Sequence, residues 1–205
     1  MMMRNNLLFK AIISHILNEL STNKMLNPKK IFPLIFLILP VLSLLVIINL
    51  HASELTVHEG YDELTPYYHA AARTGDDEVV IEFLNAGLPI DIKNHKGYTA
   101  LMIATYNGNR SIVNTLIKRG TDVCAEDNKG NTALMAAIFR AEFTIAKMLL
   151  KSDCDANQQN KAGQTAVMYA TLFGRKELRS LLIKRGADVL LKDNSGNSAD
   201  SIQEY

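Results

Sequence analysis

The chain lacks a surplus of either charge: 22 Lys and Arg stand against 21 Asp and Glu, a net of +1 over 205 residues. A nucleic-acid partner would need a concentrated basic face to displace counterions, so none is expected. The five histidines, His15, His51, His58, His69 and His95, are scattered, and no pair in the later part has metal-ligand spacing on a helix. No serine sits in a strained glycine elbow, and no glycine-rich loop follows the phosphate-cradle pattern. These absences leave an enzyme without support, and neither cofactor nor metal is expected.

Charge is also missing from one long run. Residues 31–50 are 20 consecutive positions without Asp, Glu, Lys or Arg, long enough to span a membrane. Arg4, Lys10, Lys24, Lys29 and Lys30 precede it against Glu19 alone, so residues 1–52 carry +4 and the remainder about −3. From Met25 the order is a short basic region, the apolar run, and the small-residue segment ending at Ala52, which is the order of a secretory signal. Residues 1–24 form a tail that lies upstream of the true start if Met25 is the initiator. Residues 25–52 are either a cleaved signal, the favoured reading, or an uncleaved anchor, and 53–60 a linker. The positive-inside bias exports the C-terminal part of the chain in both cases. Residues 61–205 are therefore expected in the periplasm or held at the inner membrane on its exported side, with secretion as the further alternative.

What is present in quantity is a period. Gly97, Gly130, Gly163 and Gly196 are 33 apart, and the same register aligns Thr99, Thr132, Thr165 and Ser198, then Ala100, Ala133, Ala166 and Ala199, then Ala104, Ala137 and Ala170. A fixed period of this size marks a stacked repeat array. The units are 61–93, with a degenerate start, 94–126, 127–159 and 160–192, closed by a cap at 193–205. In the cap Ser198, Asp200, Ser201, Gln203 and Glu204 replace the apolar second face, leaving Ala199 and Ile202 to touch the preceding unit. A polar outer face is what a terminal unit requires.

Each unit reads as two helices and an extended turn. In the second, the Thr99 hydroxyl can cap the first helix, Leu101 and the small Ala100 and Ala104 share its packing face, and Gly108 ends it. A second helix from about Arg110 to Lys118 buries Ile112, Val113, Leu116 and Ile117 and turns Arg110, Asn114 and Lys118 outward. Asp122 and Asp127 then supply turn chemistry.

The runs TALMIA, TALMAA and TAVMYA, with RGTDV, KSDCDA and RGADV at the ends of the second helices, resemble the ankyrin repeat. The resemblance spans Tyr61 to Tyr205 and implies an all-α solenoid of helix–turn–helix–hairpin units. Alanine replaces the proline of that pattern, and Met102, Met135 and Met168 replace its histidine, which removes a bond expected between repeats. His69 keeps the histidine and is expected to be structural. Similar arrays occur in exported bacterial proteins, which suits the leader.

The resemblance places a partner against the hairpin tips and the exposed side of the first helices. The helix positions are Tyr106, Phe139 and Leu172, with Asn107, Arg140 and Phe173 beside them and Arg73 in the first unit. The candidate tip residues are His95, Lys96 and Tyr98, then Asn128, Lys129 and Asn131, then Lys161 and Gln164. Two readings of the aromatic positions stay open: a binding stripe, or rings packed on the neighbouring helix and half exposed. The leading expectation is a monomeric, non-enzymatic module binding one protein partner, by analogy an immunity or inhibitor protein or a support for an enzyme. The alternative is a tethered or secreted factor acting outside its cell of origin. Cys124 and Cys154 sit at different places in the register. Repeats stack about 10 Å apart, so with the added offset the pair is expected to exceed disulfide reach and to stay as two thiols.

Overall fold

The computed structural model describes residues 61–202. The expected tail, signal or anchor and linker, residues 1–60, lie outside the described residues. The helices described belong to one compact unit, His58–Tyr205. A first helix runs through residues 61–74 and pairs with Asp77–Asn85. The next pairs are Ala100–Tyr106 with Arg110–Lys118, Ala133–Phe139 with Phe143–Leu149, and Ala166–Leu172 with Lys176–Lys184. Among the described residues there is no strand, only isolated antiparallel bridges from Glu126 to Thr132 and from Lys192 to Ser198. The fold is all-α, and no described helix is long and apolar enough to cross a membrane.

Local chemistry explains the helix limits. Thr99, Thr132 and Thr165 each accept a bond at their hydroxyl from the backbone N–H of the methionine three residues on, at 3.3, 3.3 and 3.4 Å. A cap of this kind is worth about 1 kcal/mol. The first helices stack on first helices and the second on second. Ala104, Ala137 and Ala170 are fully buried where they meet, and Ile112, Leu116, Ile145, Leu178 and Leu182 fill the layer beneath. Arg110, Asn114 and Lys118 face solvent as expected, while Ile117 is only half buried.

From the second unit on, the hairpin tips are built by one position. Asn94, Asp127, Asn160 and Asp193 each accept backbone N–H groups two and four residues ahead on a single side-chain oxygen. Each tip then bonds to the next: Asn128 N donates to Lys96 O at 3.0 Å, Lys161 N to Lys129 O at 2.9 Å, and Asn194 N to Ala162 O at 3.0 Å. The aligned glycines are needed there for two reasons. Gly97 and Gly130 have φ of 79° and 77°, and an added Cβ would stand 2.5 Å from Asn128 N or 2.9 Å from Lys161 N. The first unit has Tyr61 and Leu64 at the corresponding places, which can form neither the turn nor the close approach. Its first helix is accordingly already formed at Tyr61, several residues before the aligned helix start.

His69 is structural as expected: it is buried, and its Nε2 donates to Ile92 O at 3.1 Å, though inside its own unit and not between units. One expectation is corrected. Cys124 and Cys154 form a disulfide with their Cα atoms 5.5 Å apart. Their offset in the register does not add to the repeat spacing but subtracts from it. After each second helix the loop leans toward the next unit, so a loop residue meets the one about 30 positions on. The same stagger lets the Thr121 hydroxyl donate to Asp91 Oδ1 and Asp122 N to Asp91 Oδ2 at 3.0 Å. It also brings Asn157 to Asp188 N at 2.7 Å and Gly186 O at 3.3 Å. Asp91, Cys124 and Asn157 occupy one register position.

Closing a loop of this length should contribute about 3–4 kcal/mol. Denaturant titration of the Cys124→Ser, Cys154→Ser double variant should show a loss of that order, and the unreduced wild type should present no thiol on denaturation. Free thiols there would contradict the bridge. Burial pushes the His69 imidazole below its ordinary value, against the opposing pull of its bond to Ile92 O and with a smaller push from Arg73. The unfolded chain therefore binds more protons than the folded one in mild acid. This contribution to stability is complete above about pH 6.5, the unperturbed value, and is lost as pH falls through the folded value. His69→Met, the residue used by the later units, should flatten that acid-side loss in unfolding midpoints measured across mildly acidic pH. An unchanged slope would assign it to another group.

Candidate functional site

Helical geometry sets residues at the ends of the first helices apart from their stacking face, since each residue advances 100°. Tyr106 and Phe139 end up 46% and 44% exposed although they lie on otherwise buried helices. Their ring planes lie 17° apart with centroids at 6.3 Å, a stacked pair. Phe173 meets Phe139 edge-on at 5.2 Å, and Tyr169 lies 6.0 Å from Phe173. The rings pack on one another and remain partly exposed, which is the second of the two readings left open by the sequence. The row of rings does not continue through Leu172, which aligns with Phe139 in the register; Phe173, one residue on, takes its place.

The row borders a cavity of about 520 Å³ between the first helices and the tips. Of the expected residues, Arg73, Tyr98, Tyr106, Asn107, Lys129, Asn131 and Phe139 line it. Arg140 stands at its edge, with Nε donating to Tyr106 O at 3.1 Å and its guanidinium 4.9 Å over the Tyr106 ring. Such a contact is worth about 0.5–1 kcal/mol at an exposed site and fixes the side chain. Asn107 turns back on its own helix, its amide donating to Ile103 O at 2.8 Å.

The remaining expected tip residues serve the stack more than the cavity. The Asn128 amide donates to His95 O at 2.9 Å, Lys96 and Lys161 enter the tip-to-tip bonds through their backbones, and Gln164 Oε1 accepts from Asn160 at 3.3 Å. His95, Lys96 and Lys161 keep exposed side chains.

Sequence reasoning missed Asp127, Met102, Ile103, Met135, Ala136 and Tyr169, which also line the cavity. Ile103, Ala136 and Tyr169 are themselves 33 apart, a signal the register contained. The Tyr169 hydroxyl donates to Asn131 Oδ1 at 3.3 Å, and the Asn160 amide donates to the same oxygen at 2.9 Å. Burial raises the Tyr169 phenol above its ordinary value, with the Asn160 bond opposing and the Asp127 charge adding to the rise. It remains a neutral donor, so the Tyr169 hydroxyl and the Asn131 side chain satisfy one another at this floor of the cavity.

A family model described as ankyrin repeats in three copies matches the chain over residues 41–127, 68–160 and 124–193. The chain belongs to the ankyrin repeat family. None of the curated proteins compared with it matches. Ankyrin repeats act as protein–protein interaction modules, and the half-exposed side chains sit where such an array leaves its first helices uncovered. No group of three or more His, Cys, Asp or Glu able to hold a metal occurs among the described residues.

Proposed function

We propose that this ankyrin array binds a protein partner in the groove formed by its first helices and hairpin tips, and that it does so after export from the cytoplasm. The observation that supports groove binding is the aromatic row. Isolated exposed rings need no explanation, but Tyr106, Phe139 and Phe173 cross three successive units in contact with one another, beside a cavity of about 520 Å³. Aromatic clusters desolvated on binding carry much of the energy of protein interfaces. No catalytic role is assigned. A partner of the inhibitor or enzyme-support kind fits a rigid monomeric module.

Export is supported by two independent features. The leader order from Met25 to Ala52 is that of a secretory signal or anchor. The Cys124–Cys154 bridge belongs to an oxidising compartment, which suits the periplasm or the exported face of the inner membrane.

Replacing Tyr106, Phe139 and Phe173 together by Ser should abolish partner capture by the full-length chain while far-ultraviolet circular dichroism stays close to wild type. Undiminished capture with the folded variant would rule the groove out. For export, alkaline phosphatase fused after residue 205 should be active in intact cells. An inactive fusion, with the protein present in the cytoplasm, would sink that half of the proposal.

A further inference from the structure

The charge around the groove is one-sided. Arg73 comes from the first unit, Lys129 from the tip of the third, and Arg140 from the end of the third unit's first helix. The one carboxylate lining the cavity is already spent. Asp127 Oδ1 accepts from Lys129 N at 2.7 Å and from Asn131 N at 2.8 Å, and Oδ2 accepts the Asn131 amide at 3.1 Å. Asp127 therefore serves the turn and pairs with none of the three cations.

The cations are placed differently but all remain open. Arg73 and Lys129 are exposed, and their side chains make no hydrogen bond or ion pair among the described residues. Arg140 commits its Nε to Tyr106 O and its plane to the Tyr106 ring, which aims its terminal N–H groups without occupying them. A guanidinium held in this way loses less freedom when it takes a carboxylate in its fork.

We infer that the groove takes a segment of a protein partner that carries carboxylates next to aromatic or aliphatic side chains. The apolar groups would cover Tyr106, Phe139 and Phe173 and the carboxylates would meet Arg73, Lys129 and Arg140. This deepens the groove reading above and rests on it. Single-stranded nucleic acid also uses rings beside cations, but it follows a continuous basic track, and residues 53–205 carry a net charge of about −3. A second copy of the chain would have to offer its acidic helix, with Asp77, Glu78 and Glu82.

The test pans a library of short random peptides on the immobilised full-length chain and measures the enriched peptides by fluorescence anisotropy. Enriched peptides should be net acidic with aromatic or aliphatic residues adjacent to the carboxylates, and their binding should weaken with added salt. Arg73→Glu combined with Lys129→Glu should weaken them about tenfold or more; neither side chain bonds to the fold, so structure is retained and circular dichroism checks it. Neutral or basic enriched peptides would overturn the inference. So would undiminished binding of acidic peptides to the charge-reversed variant, or stronger binding of a single-stranded oligonucleotide or of a second copy of the chain in the same assay. If the Tyr106, Phe139 and Phe173 serine variant loses the peptides while charge reversal has no effect, only the acidic assignment fails. If neither variant matters, the groove reading fails with it.

Discussion

A helix pair in this chain has apolar surface on two sides and can cover neither by itself. Ile112 and Leu116 are fully buried only because the second helices of the adjacent units close over them. Everything regular in the sequence serves that requirement. Alanine recurs at positions 104, 137 and 170 because the first helices meet there, and glycine recurs at 97 and 130 because the next hairpin tip stands within 3 Å of where a Cβ would be. The pattern changes on either side of these units: Asp200 and Ser201 follow Ala199, and the unit that begins at Tyr61 has a longer helix in place of a hairpin tip.

The polar links between units follow the same geometry but vary in chemistry. One register position reaches forward from each loop, and it is filled by the Asp91 carboxylate, the Cys124 sulfur and the Asn157 amide in turn. A second position, at the start of each second helix, reaches back to the preceding first helix. There Asn109 donates to Ala72 O and Arg73 O at 2.8 and 2.9 Å, and Arg175 Nε donates to Ile138 O at 3.4 Å. Between them stands Glu142, whose carboxylate cannot donate and lies against Gly108. The junction deprived of this backward bond is the one that holds the disulfide. A covalent link thus stands at the one junction where position 142 offers no donor, beside the other polar links that cross it.

Most of the fold was legible because stacking imposes a strict period, and strict periods survive in sequence. The threonine caps and the limits of Arg110–Lys118 could be read directly from residue types. The stagger of the loops could not. It depends on the direction in which the chain leaves a second helix, which residue spacing alone does not encode, so two cysteines 30 apart look too distant to pair. The site was legible in outline for a different reason. Tyr106 and Phe139 stand out because they break the polar expectation at an exposed position. Phe173 supplies its ring from one residue beyond the aligned place, where the register alone picks Leu172. Tyr169 escapes notice because an aromatic on the inner side of a helix looks like core until its hydroxyl is seen facing the Asn131 side chain.

The placement of the aromatic row also bears on how a small array can bind at all. Holding a partner costs ordering entropy in proportion to how loosely the contact groups are held beforehand. Tyr106 and Phe139 belong to units two and three. The junction between those units is tied by the disulfide, by Arg140 to Tyr106 O, by the Gln158 amide to Cys124 O at 3.2 Å and Glu126 Oε1 at 2.7 Å, and by Asn128 to Lys96 O and His95 O. These links act on the backbone that carries the rings, and Tyr106 and Phe139 stay partly exposed. The covalent cross-link therefore falls at the same junction as the exposed Tyr106 and Phe139 rings. Freezing the groove is done when the chain folds and oxidises, so less of that cost is left to fall on the partner's association.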